Sequence, residues 1–294
     1  MMKLLVTGPL AEQVRDELVA RGFDEPLRAA SEPSPDDLAW ATAVVCRSLP
    51  GEGTYRWVHS IAAGHDQLDE ARDRIEVFTR TLGSLPEQMA HSVCWAVLDH
   101  ELLGPHRRQC QAQNDWVRTP HQWPPGSCVL LGTGVIAQRV AQALQALGFH
   151  TVGVNRSGRE APGFDHVTTL EEADLESAQA LVNLLPLTPQ TAGAVGEQVF
   201  RRLRGALYVN VGRGDTTRQE DLRRALQQGH LSHAHLDVTT PEPLPAEHWL
   251  WRHPKVTITP HVAAITLASD VAEDVLETVA DLRAGRSPRL LVAD

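Results

Sequence analysis

The stretch VLLGTGVIAQRVAQALQALG, residues 129–148, decides how the rest of the chain is read. Val129-Leu130-Leu131 is an unbroken apolar run, as in a strand buried on both faces of a parallel sheet. Gly132 and Gly134 follow, and then Val135, Val140, Leu144 and Leu147 recur at helical spacing. Gly148 ends the helix, a residue suited to a left-handed cap. Strand, glycine turn and helix in this order form the context in which such a turn signals dinucleotide binding. Gly132 permits the tight turn. Gly134 lets the backbone approach a pyrophosphate resting on the free N–H groups of the helix N-terminus. Ala137 takes the third glycine position and is small enough for close helix–strand packing. The contacts expected from this turn are Gly132, Thr133, Gly134, Val135 and Ile136. The competing reading is a glycine-tightened βαβ turn that binds nothing; a second strand at residues 150–154 favours the nucleotide.

That second strand also bears on cofactor choice. It ends at Val154, and Asn155 stands where an NAD site usually carries the Asp or Glu that binds the ribose hydroxyls. Arg156, Ser157 and Arg159 follow. Two cations and a hydroxyl suit a 2′-phosphate, which a carboxylate would repel. NADP is therefore expected over NAD, with Asn155, Arg156 and Ser157 as contacts; the alternative is NAD held by a looser ribose grip.

Composition narrows the class. A chain of 294 residues, 42% hydrophobic, has room for two domains with their own cores. A net charge of −10 argues against a general nucleic-acid or anionic-membrane surface. Cys46, Cys94, Cys110 and Cys128 form no CxxC pair and read as idle thiols in a reducing compartment. The opening MMKLLVTGPL is too short for a secretory signal, and no apolar run approaches a membrane span. The cytoplasm is the expected location.

Along the chain, strands at residues 3–7, 43–46, 57–62 and 74–78 alternate with helical patterns, the sign of a small parallel α/β domain. A helix runs from near Pro86 through Met89, Val93 and Val97 until Gly104-Pro105. Residues 107–126 read as a polar connection. After the nucleotide unit come strands at 180–184, 206–211, 234–238 and 256–259, helices at 196–203 and 219–228, and a final helix at 269–284. Each of the last three strands delivers a polar residue just past its end: Arg213, Glu242 and His261. Ligands of open parallel sheets bind outside those carboxyl ends, where the Gly132 turn also lies.

The three residue types match one reaction. Hydride transfer to a carbonyl needs a proton donor, and histidine titrates near working pH. A carboxylate beside it favours the protonated ring and fixes its tautomer. A guanidinium polarises a carbonyl or grips a carboxylate through paired hydrogen bonds. Taken singly, Arg213 reads as a solvated loop cation, Glu242 as an exposed acid between prolines and His261 as a turn histidine. Their joint arrival at strand ends favours the chemical reading. His230, His233 and His235 lack an acidic or thiol partner at ligand spacing, so no metal is expected.

These residues resemble the D-isomer-specific 2-hydroxyacid dehydrogenase family over nearly the whole chain. NVGRG (210–214) looks like its Arg motif, LDVTTPEPLP (236–245) its Glu motif and ITPHVAAIT (258–266) its His motif. NLLPLTPQT (183–191) resembles a loop beside the nicotinamide, and WVHSIAAGHDQL (57–68) the substrate loop of the first domain. The wording is closest to the glyoxylate/hydroxypyruvate reductase branch. The resemblance implies His261 as acid/base, Glu242 as its partner and Arg213 as the substrate-orienting cation. It implies backbone N–H groups of Ala63 and Gly64 for the substrate carboxylate. Arg47 lies where some relatives place a substrate-contacting arginine. On the cofactor side it implies Leu185, Pro186, Thr191, Val211, Gly212 and Asp237. The implied architecture is two doubly wound parallel-sheet domains. A Rossmann-type cofactor domain, residues 98–262, is inserted in a smaller flavodoxin-like substrate domain, residues 1–97 and 263–294. Hinge closure would assemble the site, and a homodimer is the implied assembly.

The expected activity is NADP-dependent reduction of a small 2-keto acid, glyoxylate or hydroxypyruvate, to the D-2-hydroxy acid. The alternatives are an NAD-linked D-3-phosphoglycerate or other D-2-hydroxyacid dehydrogenase, and a nicotinamide-sensing binding protein without turnover. The short tail after the final helix weighs against the larger phosphoglycerate type.

Overall fold

A computed structural model describes residues 2–121 and 123–292. The chain divides into two compact units, Met1–Leu85 with Ile265–Asp294, and Pro86–Ala264.

In the first unit the elements run β1 (Leu4–Thr7), α1 (Ala11–Ala20), β2 (Leu27–Ala30), α2 (Pro35–Trp40), β3 (Ala43–Cys46), β4 (Tyr55–Ser60), α3 (Asp66–Asp69) and β5 (Ile75–Arg80). In the second they run α4 (Leu85–Glu101), α5 (Gly104–Ala112), β6 (Ser127–Leu131), α6 (Val135–Ala146), β7 (His150–Val154), β8 (His166–Thr168), β9 (Ala178–Asn183), α7 (Glu197–Phe200), β10 (Ala206–Asn210), α8 (Gln219–Gln228), β11 (Leu231–Leu236) and β12 (Val256–Ile258). The chain then returns to the first unit as α9 (Ala268–Arg283).

The first unit's sheet is wholly parallel, in the flavodoxin-like order β2-β1-β3-β4-β5. Val14 and Leu18 of α1 and Val271 and Val275 of α9 cover one face, packed on Leu4, Val45 and Trp57. β2 is not among the strands expected from the sequence. It is a short edge strand, Leu27-Arg28-Ala29-Ala30, with no residue fully buried, so no apolar periodicity marks it.

His59 lies wholly buried on β4. Its Nδ1 meets Thr79 Oγ1 at 2.8 Å and its Nε2 meets Thr81 Oγ1 at 2.9 Å. Burial pulls its pKa down to about 3. His233 on β11 is pulled to about 4, chiefly by burial. An unfolded histidine titrates near 6.5. Between that value and the folded one, the unfolded chain binds more protons, so stability is full above the unfolded pKa and lost as pH falls. By about pH 5 the loss from His59 reaches roughly 2 kcal/mol. Denaturant midpoints should drop between pH 7 and pH 5, and His59→Gln should flatten that slope. An unchanged slope would contradict the buried neutral ring.

The second unit's sheet is also parallel, in the order β12-β11-β10-β9-β6-β7-β8. This is the dinucleotide-fold order with one further strand, and the order reverses between β6 and β9. One face packs Leu181, Tyr208, Phe200 and Leu226. The other packs Leu130, Val140 and Leu144 against Ala90, Val93 and Val97 of α4. That packing sets the boundary. The sequence reading ran the first domain to residue 97, whereas the larger unit begins at Pro86, because α4 buries its apolar face on β6 and α6. Gly104-Pro105 also does more than end a helix: α5 starts there, with Pro at its first turn. The three-residue edge strand β8 left no trace in the sequence pattern. No helix among the described residues is long and apolar enough to cross a membrane.

Candidate active site

The glycine turn after β6 has the geometry its sequence demands. Gly132 adopts φ +105°, a left-handed conformation, and its N–H donates to Val154 O at 2.9 Å. Gly134, the N-cap of α6, is different. Its φ of −71° suits any residue, and a Cβ added there would meet nothing within 4 Å. Neither conformation nor packing within the unit requires glycine at 134. A group that approached the backbone from outside would meet no side chain there. No side chain caps α6, so its first N–H groups remain available to an anion.

Next to this turn, at the carboxyl ends of β6, β7 and β9, lies a cleft of about 320 Å³. Its walls include Leu131, Val154, Leu185 and Val195, with Asn155 and Arg156 at its polar side; Glu171 is its one acid. The Asn155 amide braces the loop beyond β7. Its Oδ1 accepts from Ser157 N at 3.1 Å and Ser157 Oγ at 3.3 Å, and its Nδ2 donates to Arg159 O at 2.8 Å and Thr133 Oγ1 at 3.2 Å. Arg156 and Arg159 are exposed, and neither guanidinium bonds or pairs with any described residue. A bare helix N-terminus, an apolar cleft at the switch point and unpaired cations together fit a dinucleotide.

The loop after β9 carries Leu185, Pro186 and Thr191. Asn183, buried, accepts from Leu185 N through Oδ1 at 3.2 Å. Thr191 Oγ1 donates to Pro186 O at 2.6 Å and so closes the loop on itself.

The loop after β10 carries Val211, Gly212 and Arg213. Buried Asn210 holds it, accepting from Gly212 N at 3.1 Å and donating to Arg213 O at 3.2 Å. Both flanking glycines are needed for space. A Cβ on Gly212 would sit 2.7 Å from Leu185 O, and one on Gly214 would overlap the Thr239 carbonyl. The half-buried Arg213 guanidinium donates to Gly212 O at 2.8 Å.

Glu242 and His261 follow the next two strands, β11 and β12, and the structure brings them together. Glu242 Oε2 lies 2.7 Å from His261 Nδ1. Glu242 Oε1 accepts from Thr239 N at 2.9 Å, which fixes the carboxylate. The imidazole is 41% exposed and its partner 37%, so the pair is open to solvent. His261 has φ +55°, uncommon for a residue with a Cβ. Its N–H donates to Asp237 O at 2.8 Å and Thr259 O at 3.0 Å.

Asp237 holds the rest of this loop. It is 3% exposed. Its carboxylate accepts from Thr259 Oγ1 at 2.6 Å, Val262 N at 3.0 Å and Ala263 N at 3.0 Å. The family resemblance implies Asp237 on the cofactor side; in the structure all three of these bonds serve the histidine loop. Thr239 and Asn210, which aim Glu242 and the Arg213 loop, were not singled out from sequence, since nothing local marks a brace of this kind.

Ala63, Gly64 and Arg47 belong to the first unit, at the carboxyl edge of its sheet. The N–H groups of Ala63 and Gly64 donate to no described residue. Arg47, just past β3, is exposed and likewise unpaired. His233 Nε2 bonds Thr257 Oγ1 at 2.9 Å, and His235 packs edge-on against Trp95. Among the described residues no His, Cys, Asp and Glu group has metal-site geometry.

Residues 102–263 match the family model described as D-isomer specific 2-hydroxyacid dehydrogenase, NAD binding domain. Glyoxylate/hydroxypyruvate reductase A of Serratia proteamaculans is 36% identical over 253 residues, covering 82% of this chain and 80% of that protein. The crystal structure of a D-isomer specific 2-hydroxyacid dehydrogenase family protein from Aeromonas salmonicida superposes with a TM-score of 0.85 at 28% identity, covering 100% of this chain and 99% of that one. The fold is also that of an NADPH-dependent glyoxylate/hydroxypyruvate reductase from Sinorhizobium meliloti, solved with NADP and sulfate. There the TM-score is 0.83 at 23% identity, covering 99% of this chain and 98% of that one.

Proposed function

This chain belongs to the D-isomer-specific 2-hydroxyacid dehydrogenase family of NAD(P)-dependent enzymes, and we propose that it reduces glyoxylate or hydroxypyruvate to the D-2-hydroxy acid with NADPH. The observation that carries the proposal is the 2.7 Å contact between His261 Nδ1 and Glu242. With Nδ1 engaged, Nε2 is the ring nitrogen left to face a substrate oxygen. Protonated at Nε2, His261 donates to the carbonyl oxygen, and Glu242 stabilises the imidazolium form that does so. Arg213 holds the keto acid by charge-assisted hydrogen bonds. The N–H groups of Ala63 and Gly64 take its carboxylate, with Arg47 as a further cation. The nicotinamide, when bound, supplies the hydride to the carbonyl carbon.

The residues that would hold the dinucleotide are those of the glycine turn for its pyrophosphate, and Asn155, Arg156 and Ser157 for its ribose phosphate. Leu185, Pro186, Thr191, Val211, Gly212 and Asp237 form the nicotinamide side. The preference for NADPH rests on the two unpaired guanidiniums and the missing carboxylate after β7. Glu171 opposes it, as one acid against Arg156 and Arg159. The relative from Serratia, named as a glyoxylate/hydroxypyruvate reductase, supports the substrate class. A homodimer is the assembly we expect, from the family resemblance.

Initial rates with glyoxylate and hydroxypyruvate, each with NADPH and NADH, test this reading. We expect kcat/KM to favour NADPH by at least about tenfold, the worth of one good charge-assisted contact. Arg156→Ala should narrow the gap. An NADH advantage in the unsubstituted protein would sink the cofactor assignment.

A further inference from the structure

We propose that Arg80 adds a positive charge at the substrate-carboxylate site, acting on the anion held by the N–H groups of Ala63 and Gly64. The proposal rests on the reading of that loop given above and extends it to a residue at the end of the neighbouring strand, β5.

Past the end of β4, three successive carbonyls are tied by side chains. Thr266 Oγ1 donates to Ile61 O at 3.0 Å, Ser60 Oγ to Ala62 O at 3.1 Å, and an Arg80 guanidinium nitrogen to Ala63 O at 2.8 Å. Ser60 Oγ also accepts from Ala62 N at 3.2 Å. The carbonyls are therefore occupied, while the next two N–H groups, of Ala63 and Gly64, donate to nothing among the described residues. Two adjacent unpaired N–H groups in a half-buried turn are an anion-binding feature.

Arg80 is unusual among the cations of this unit. It is half-buried, and among the described residues it has no acidic partner. Burial pushes its pKa below the ordinary arginine value, with no carboxylate to offset the effect. By contrast Arg21, Arg28 and Arg74 each pair with a Glu or Asp. Holding a carbonyl needs only a neutral donor, which glutamine would supply more cheaply. A guanidinium withdrawn from water without a counter-ion is costly, and a carboxylate arriving at the adjacent N–H groups offsets that cost. Arg47, on the exposed side, is better solvated and contributes less.

The test uses the NADPH-bound protein and compares Arg80→Gln and Arg80→Lys with the original. Three readouts are taken: KM for glyoxylate, KM for NADPH, and the affinity for oxalate measured by calorimetry. Arg80→Gln should raise the glyoxylate KM at least about tenfold and weaken oxalate in parallel. The NADPH KM should stay within about twofold. Methylglyoxal, a carbonyl compound without a carboxylate, should lose far less than glyoxylate. Arg80→Lys keeps the charge on a shorter arm without the planar fork, so its glyoxylate KM should rise about fivefold. An unchanged glyoxylate KM in folded Arg80→Gln would overturn the proposal, as would equal losses for glyoxylate and methylglyoxal. If the glutamine variant does not fold, Arg80→Met takes its place, and an unchanged glyoxylate KM there has the same force. Oxalate binding requires no turnover. A protein that reduces no keto acid would overturn the functional reading, yet weaker oxalate binding by the Arg80 variants would still support the anion site.

Discussion

Replacing His261 by alanine is expected to lower kcat for keto-acid reduction by about two to four orders of magnitude, the usual worth of a positioned general acid. NADPH affinity should change little. The ring sits on the exposed side of the β12 loop, bonded through Nδ1 to Glu242, and no other described residue bonds its Nε2. Its removal therefore costs the folded protein little packing but takes away the proton. Backbone conformation complicates the alanine variant, because residue 261 has φ +55°. Asparagine tolerates that region better than alanine, so His261→Asn separates the chemical loss from the conformational one. Both variants should bind NADPH, as read by fluorescence titration, and both should fail to turn over. Near-normal kcat in either would remove His261 from the mechanism.

Asp237→Ala should have the second largest effect, and for a different reason. The buried carboxylate accepts from Thr259 Oγ1, Val262 N and Ala263 N. Deleting it leaves two amide N–H groups and a hydroxyl without an acceptor where water is largely excluded. Each such loss costs about 1–3 kcal/mol, so the loop either rearranges or the unit loses several kcal/mol. Rearrangement moves His261 away from Glu242, and a weakened anchor lets the loop leave that geometry more often. We expect a lower melting temperature and a kcat reduced by about a hundredfold. Asp237→Asn should fall between, since its amide turns a donor toward at least one N–H. A role confined to the cofactor has another signature: NADPH affinity would fall while the stability of the cofactor-free protein held. That result would return Asp237 to the nicotinamide side alone.

The contrast between these residues explains what could be read from the chain alone. Gly132 and Gly134 were legible because a strand, a turn and a helix surround them in one continuous stretch. Arg213, Glu242 and His261 were legible because each lies in the loop that follows an apolar run, and parallel topology brings such ends to one edge. The reason for Gly212 and Gly214 was not, since the atoms that exclude a Cβ belong to Leu185 and Thr239, in the loops after other strands. Asp237 anchors Val262 and Ala263 across 25 and 26 residues of chain. Arg80 reaches Ala63 across 17. No local period encodes contacts at such separations. Asn155 was read for the carboxylate it lacks; that its amide also ties Ser157, Arg159 and Thr133 together needed coordinates. The edge strands β2 and β8 escaped because segments of four and three residues are too short to carry a hydrophobic period. The path of α4 escaped because a helix bridging two sequence regions belongs to whichever core buries its apolar face.

On the proposed mechanism, the strand-end histidine of the seven-stranded unit protonates a keto acid as it is reduced to the D-hydroxy acid. The most direct measurement is product analysis after incubation of the unsubstituted protein with NADPH and hydroxypyruvate. The expected result is D-glycerate in an amount equal to the NADPH consumed. NADPH bound but left unoxidised, or L-glycerate as the product, would contradict it.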